Sequence, residues 1–192
     1  MEYVALAINA ILVGNLVLAK FLGICPFLGV SKKLSTALGM SFAVVFVMSV
    51  ASVVTWGLHR GILVPLHLEY LRTIAFILVI AALVQFTEMV IQDLAPCLYE
   101  SLGIYLPLIT TNCAILGVAV MNIDDHRSFL GTLVYSMAAG VGFGLALLLF
   151  AGIRERLETS RIPNAFQGIA SALVVAGILS LAFMGFSGLV PG

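Results

Sequence analysis

The sequence predicts an all-α integral membrane protein with six transmembrane helices. Of its 192 residues, 62% are hydrophobic and only 9% are charged, and the mean hydropathy is +1.19. Soluble domains contain about 45–50% apolar and about 25% charged residues, and a soluble fold of this size could not bury so much apolar surface. The short polar alternation of barrel strands is absent from the sequence. Nine basic and nine acidic residues give no net charge, which excludes a nucleic-acid-binding face.

Six apolar runs are each long enough for a helix that crosses a bilayer, which takes about 20 residues. Helices are expected because a lone span must satisfy its own backbone hydrogen bonds in lipid. The connecting loops are too short for a soluble domain, so residues 1–192 are predicted to form one membrane domain without a complete active site of its own. The first run lacks a basic leader and is too long for a signal-peptide core, so it should remain uncleaved. The runs cover residues 3–24, 36–57, 71–92, 102–121, 128–151 and 166–190.

Basic residues are unevenly distributed between the two sides of the predicted bundle. Six lie in or beside the first and fifth loops, and three lie on the other side. The positive-inside rule therefore predicts loops 1, 3 and 5 in the cytoplasm and both termini outside. The six are Lys20, Lys32, Lys33, Arg154, Arg156 and Arg161, and the three are Arg60, Arg72 and Arg127.

An internal repeat divides the six spans into two groups of three. The pattern C-x-x-L-G-V occurs at residues 25–30 and again at residues 113–118. A second echo, with Ile-Ala, Leu-Val and Ala at constant spacing, relates residues 74–81 to residues 169–176. Because three is an odd number, the second unit must enter the membrane from the opposite side. The prediction is an inverted repeat, with residues 1–97 as the first unit and 98–192 as the second.

The first and fourth apolar stretches are predicted to break near their cysteines. Residues 3–31 would form one helix about 44 Å long against a hydrocarbon core of about 30 Å. This stretch contains Pro26, and the fourth, residues 98–123, contains Pro107; proline cannot complete the helical hydrogen-bond ladder. Non-helical backbone at membrane depth must be buried in protein or line a cavity. Cys25 and Cys113 are therefore expected to lie together, inside protein, within the bilayer.

The chemistry of two matched cysteines leaves several interpretations open. They could be small buried hydrophobes, as free cysteines often are. A disulfide needs close approach and an oxidising setting, and a zinc site needs four nitrogen or sulfur ligands. An iron–sulfur cluster takes four thiolates, so two form half of a set and predict a second chain, a paralogue of the same fold, that brings the others. Residues 110–112 could donate hydrogen bonds to such a cluster or to a neighbouring helix.

Other polar residues carry weaker signals. Glu88 is interpreted as an interfacial carboxylate or a residue near an ion path, and Asn15 as a partner of a neighbouring helix. Residues 154–156 are interpreted as a topology anchor and possible docking point for a cytoplasmic partner, and Cys97 as structural. The three histidines lie at span ends, which argues against metal binding within the membrane. Close helix packing in the fifth span is predicted from Gly140, Gly142 and Gly144.

Two long signatures surround the cysteines, FLGICPFLGVSKK at residues 21–33 and LPLITTNCA at residues 106–114. Two shorter ones follow, AGIRERL at residues 151–157 and FMGFSG at residues 183–188. Together they resemble the RnfA (RsxA) subunit family, and the resemblance covers essentially the whole chain. The related NqrE subunit of sodium-pumping quinone reductases is similar around the second cysteine, but CPFLG fits RnfA better.

The resemblance implies a subunit of a bacterial or archaeal oxidoreductase in the cytoplasmic (inner) membrane. Such Rnf complexes move electrons between ferredoxin and NAD, coupled to Na⁺ or H⁺ movement, and in some bacteria they keep a redox-sensing regulator reduced. The RnfA subunit pairs with its paralogue RnfE, of opposite orientation, beside subunits B, C, D and G. The family places a [2Fe–2S] cluster between the pair, which makes Cys25 and Cys113 the implied ligands. The cluster would carry electrons between cytoplasmic iron–sulfur subunits and flavins on the outer side.

Three alternatives remain at this point. An NqrE-like subunit would share the cysteines but serve a Na⁺-translocating quinone reductase. A secondary transporter or channel would explain an inverted repeat without needing paired cysteines. A structural scaffold would only fasten other subunits together.

Overall fold

A computed structural model describes residues 2–67, 69–94, 108–109, 111–158 and 168–188, and within these ranges every regular element is helical. Helices long and apolar enough to cross a membrane occupy the second, third and fifth predicted spans, at Leu34–Leu63, Arg72–Val90 and Phe129–Leu157. The other three spans contain shorter apolar helices. The all-helical architecture is confirmed, whereas six complete crossings stay a prediction.

The described helices follow the predicted order along the chain. Short π-helical segments at Asn9–Val13 and His59–Leu63 continue the first and third helices, and 3₁₀ turns lie at Glu69–Leu71 and Gly185–Gly188. The helices are α1 (Glu2–Ile8), α2 (Ile24–Val30), α3 (Leu34–Leu58), α4 (Arg72–Leu94), α5 (Cys113–Asp124), α6 (Phe129–Glu158) and α7 (Ile169–Met184).

The centre of the molecule is an antiparallel pair, α3 and α6, held close by glycine. A Cβ atom built on Gly140 would lie 3.0 Å from Cα of Val45, and one on Gly144 would lie 3.0 Å from Cβ of Ser41. Residue numbers rise along α6 as they fall along α3, so the two helices run in opposite directions. Small residues at such an interface let the backbones approach and gain packing contacts without side chains in between. The predicted close packing of this helix is confirmed.

The first apolar stretch is not one continuous helix. Helical structure ends at Val13 and resumes only at Ile24, with turns and irregular backbone from 14 to 23. Pro26 is the third residue of α2, where the missing N–H removes no intrahelical hydrogen bond because the first four N–H groups of a helix have no such partner. Pro26 therefore helps to begin a helix, and the interruption lies before it.

Asn15 holds the irregular segment together and anchors it to α6. Its side-chain Nδ2 donates to the carbonyl oxygens of Ile11, at 3.1 Å, and Gly142, at 2.8 Å. Its Oδ1 accepts from the backbone N–H groups of Val17, at 3.1 Å, and Leu18, at 3.3 Å. The side chain is fully buried, so it replaces the hydrogen bonds that the backbone loses where the helix stops. The prediction that Asn15 bonds a neighbouring helix is confirmed.

Replacing Asn15 with alanine should destabilise the chain by roughly 4 kcal/mol or more, because four backbone groups would each lose a partner at a cost of about 1–3 kcal/mol. A lower midpoint of thermal unfolding in detergent would report the loss. Asn9→Ala is the matched control, since Asn9 is exposed on the segment just before the break. Equal midpoints for the Asn15 and Asn9 variants would contradict this account of the break.

Candidate functional site: two cysteines at facing helix ends

The two candidate ligands both lie in the first turn of a helix that follows irregular backbone. Cys25 is the second residue of α2, and Cys113 is the first residue of α5. Both thiols are free, and both are exposed on the surface of this chain. The expectation that the thiols lie inside protein is therefore not met by the described part of this chain.

A direct contact joins the beginnings of α2 and α5. The backbone N–H of Gly23 donates to Sγ of Cys113 at 2.9 Å. Gly23 precedes Cys25 by two residues, a separation of at most about 7 Å along the chain. The structure thus brings the two thiol-bearing helix ends together, as the sequence predicts, while their role as metal ligands stays a prediction.

Gly23 makes this contact possible through its backbone conformation and its lack of a side chain. Its φ is +81°, in the left-handed region that other residues enter at a cost. A Cβ atom at this position would lie 2.8 Å from Cε2 of Phe143 and 3.1 Å from Cβ of Ala114. Glycine is therefore the residue that lets the backbone before Cys25 reach the sulfur of Cys113.

Asn112 caps the helix that begins at Cys113. Its Oδ1 accepts from the backbone N–H of Ala114 at 3.0 Å and caps the beginning of α5. Its Nδ2 is buried without a hydrogen-bond partner among the described atoms. An unpaired amide donor therefore belongs to the residue before Cys113, and the donor role of residues 110–112 stays a prediction. Thr111 is exposed, and Thr110 lies outside the described residues.

Each of the two C-x-x-L-G-V segments packs against a leucine that precedes the cysteine of the other segment. A Cβ atom on Gly117 would lie 2.6 Å from Cδ1 of Leu22, and one on Gly29 would lie 3.1 Å from Cδ1 of Leu108. The two glycines occupy the same position of the repeated pattern, and each leucine precedes the opposite cysteine. Each half therefore receives a leucine from the other half beside its own glycine.

The cysteines lie between the two ends of the bundle. Helix α2 leads into the start of α3, and α5 leads into the start of α6. Because α3 and α6 are antiparallel, α2 and α5 run from the thiols toward opposite ends. At 1.5 Å per residue these helices are about 10 Å and about 18 Å long, and together they approach the thickness of a hydrocarbon core, about 30 Å.

Comparison with known proteins identifies the family of this chain. A family model described as "Rnf-Nqr subunit, membrane protein" matches residues 3–190. The chain belongs to the Rnf-Nqr subunit family. The resemblance seen in the sequence is thereby confirmed.

Three relatives from this family share one description, the A subunit of the ion-translocating oxidoreductase complex. The chain is 61% identical to the protein of that description from Syntrophotalea carbinolica, with 96% of each chain covered. It is 58% identical to the one from Proteus mirabilis and 57% identical to the one from Vibrio vulnificus, with 98% of each chain covered in both cases. The similarity extends over nearly the full length of both proteins.

Arg154 is buried in the structure, whereas the sequence suggests that it is accessible to a partner. From the sequence, Arg154 and its two neighbours are interpreted as a topology anchor and possible docking point. The structure buries it to 8% exposure, with Nη1 donating to the carbonyl oxygen of Leu28 and to Oγ of Ser31, both at 2.8 Å. Glu155 and Arg156 are exposed. Arg154 is therefore unavailable to a docking partner, because its guanidinium holds the end of α2.

The sequence does not predict a cavity of mixed polar and apolar lining at the C-terminal end of α3. The cavity has a volume of about 320 Å³ and lies between the end of α3 and the turn from α5 to α6. An ion pair of 2.7 Å between Arg127 and Asp125 borders it. The histidines lie at span ends, as the sequence predicts, but no local pattern in the sequence indicates that the end of α3 meets the turn between α5 and α6. The residues that line the cavity are Trp56, His59, Arg60, Val64, Asn122, Ile123, His126 and Arg127.

Two further residues that the sequence singles out remain without a defined role. Glu88 is half-buried near the end of α4, and Cys97 lies outside the described residues. Within the described ranges, no three histidine, cysteine or acidic side chains come close enough together to hold a metal ion. The assignment of Cys25 and Cys113 as cofactor ligands stays a prediction for this Rnf-Nqr protein.

Proposed function

We propose that this chain is the RnfA-type membrane component of an ion-translocating oxidoreductase complex in a bacterial or archaeal cytoplasmic membrane. The complex transfers electrons between ferredoxin and NAD and couples the transfer to Na⁺ or H⁺ movement. This chain carries electrons across the membrane through a [2Fe–2S] cluster that it shares with a paralogous, RnfE-like subunit. The observation that carries the proposal is the contact between Gly23 and the sulfur of Cys113, which joins two thiol-bearing helix ends.

The residues around the thiols fit such a cluster. Two thiolates are half of the four that a [2Fe–2S] cluster takes, and both are exposed toward a partner. The N–H group of Gly23 and the unpaired amide of Asn112 are donors of the kind that stabilise negatively charged sulfur. The first turn of α5, with its positive dipole end, favours negative charge at Cys113. When bound, the cluster would supply one-electron redox chemistry at mid-membrane depth.

The proposed architecture is an inverted repeat of three-helix units, residues 1–97 and 98–192. The reciprocal glycine and leucine contacts, and the opposite directions of α2 and α5, support it. The contact of Arg154 with Ser31 joins the end of α6 to the loop that follows α2. Loops 1 and 5 therefore share one end, as the charge asymmetry requires if loops 1, 3 and 5 are cytoplasmic and both termini lie outside.

The proposed partners follow from the same site. A paralogue covers the face with the two thiols and adds two cysteines of its own. Rnf subunits B, C, D and G provide the iron–sulfur and flavin groups on the two sides of the membrane, because this chain has no complete active site.

Two alternatives are less well supported. An NqrE-like role fits the Rnf-Nqr family, but the relatives described above are all A subunits of the ion-translocating complex. A transporter would suit an interrupted helix at mid-depth, but it would not need paired thiols.

Iron analysis and EPR spectroscopy of the purified complex test the proposal. The complex should contain a [2Fe–2S] signal that is absent when the chain is expressed and purified without the other Rnf subunits. A complete cluster in the isolated chain would contradict the shared site. A complex whose EPR spectrum has no such signal under any reducing condition would contradict the electron-carrier role.

A further inference from the structure

Arg154 is a buried cation whose acceptors, among the described residues, lie at the end of one short helix. Its Nη1 donates to the carbonyl oxygen of Leu28 and to Oγ of Ser31, both at 2.8 Å. Leu28 belongs to the last turn of α2, where carbonyl groups lack intrahelical partners. A residue from α6, more than 120 positions away in the sequence, therefore closes the C-terminal end of α2.

The charge of Arg154 is not neutralised by a neighbouring carboxylate in the part of the chain that the structure describes. The ion pairs found there join Arg72 to Asp124 and Arg127 to Asp125. Burying a cation without a paired anion is costly in free energy. Ionisable residues buried in membrane-spanning segments are therefore candidates for a function. Two neutral acceptors satisfy part of the hydrogen-bonding capacity of the guanidinium but leave its positive charge in place.

The positive charge of Arg154 lies close to the thiol of Cys25. Leu28 follows Cys25 by three residues, which is one turn of α2, or about 5 Å along the helix axis. The guanidinium at Leu28 is thus on the order of 10 Å from the thiol. Over that distance a buried charge strongly affects the electrostatic potential at the thiol, because the protein interior and the bilayer screen the charge far less than water does.

We infer that Arg154 is a positioning residue for Cys25 and sets the redox behaviour of the shared site. Its two hydrogen bonds fix α2 from the end opposite the thiol, and its positive charge favours the reduced, more negative state of the cluster. This inference rests on the proposed function. Loss of the charge should lower the reduction potential, and loss of the hydrogen bonds should let Cys25 move.

A redox titration followed by EPR on the whole complex tests the electrostatic part. In Arg154→Gln the ratio of reduced to oxidised cluster at a fixed potential should fall about tenfold, equivalent to about 59 mV for one electron. Arg154→Lys keeps the charge and should stay within about threefold of the wild type. Arg156→Gln, an exposed arginine one half-turn further along α6, is the control and should leave the ratio unchanged. An Arg154→Gln complex with full iron content and the wild-type potential would overturn the inference.

Thiol labelling tests the positioning part without any cluster. In the full chain in membranes, after iron chelation, the rate of maleimide labelling at Cys25 is compared with the rate at Cys113. Arg154→Gln should raise this ratio several-fold, while Arg154→Lys and Arg156→Gln should raise it less. An unchanged ratio in Arg154→Gln would overturn the positioning role. If the wild-type complex holds no cluster but the ratio changes as expected, the proposed function fails and the role of Arg154 in placing Cys25 stands.

Discussion

Replacing Cys113 with serine should remove about two iron atoms and the [2Fe–2S] EPR signal from the purified complex, and Cys25→Ser should do the same. A serine hydroxyl keeps its proton at neutral pH and is a poor replacement for a thiolate that binds iron. Serine at position 113 would also lose the sulfur that accepts from Gly23. Because changes in supporting residues already cost 10–100-fold at metal sites, loss of a ligand should lower electron transfer by roughly 100-fold or more.

The matched control is Cys97→Ser in the same chain, since Cys97 has no counterpart in the repeat. This variant should keep the iron content, the EPR signal and the activity of the wild type. Co-purification of the paralogous subunit must be measured in all three variants, because loss of the partner alone would also remove the cluster. A Cys25→Ser or Cys113→Ser complex that assembles with full iron and full activity would refute the cluster hypothesis and favour a transporter or scaffold.

The long helices were predictable because their signal is local. An uninterrupted apolar run without glycine clusters or proline forms a helix in lipid, because only a helix satisfies the backbone hydrogen bonds of a single span. This holds for α3, which begins and ends within two residues of the predicted span 36–57. In contrast, α6 continues to Glu158, well past the predicted end at 151, because charged residues that can reach water do not end a helix.

The site could be predicted only in part. The repeated pattern identified Cys25 and Cys113 from their sequence alone. The interruption is expected close to Cys25, and it occupies residues 14–23 just before α2, where Asn15 replaces the lost backbone hydrogen bonds. The burial of Arg154 depends on carbonyl and hydroxyl groups more than 120 residues away, and no local pattern encodes such a partner.

The second large effect is expected from Gly23→Ala, which adds one methyl group where the two halves meet. The left-handed conformation at φ +81° costs alanine about 1–2 kcal/mol of conformational free energy. Its Cβ would also press against Phe143 and Ala114, at 2.8 Å and 3.1 Å, and overpacking typically costs about 1–3 kcal/mol more. The chain should therefore be roughly 2–5 kcal/mol less stable, with a lower midpoint of thermal unfolding in detergent.

Gly57→Ala separates this effect from a general intolerance of alanine. Gly57 lies in α3 with no atom within 4 Å of an added Cβ, so alanine there should be neutral or slightly stabilising. To relieve the contact with Ala114, Gly23→Ala has to shift either its own backbone or the beginning of α5, and both shifts disturb the hydrogen bond from the Gly23 N–H to Cys113. Iron content should consequently fall in Gly23→Ala even where the complex still assembles. Wild-type iron and stability in that variant would mean that the contact between Gly23 and Cys113 does not define the site.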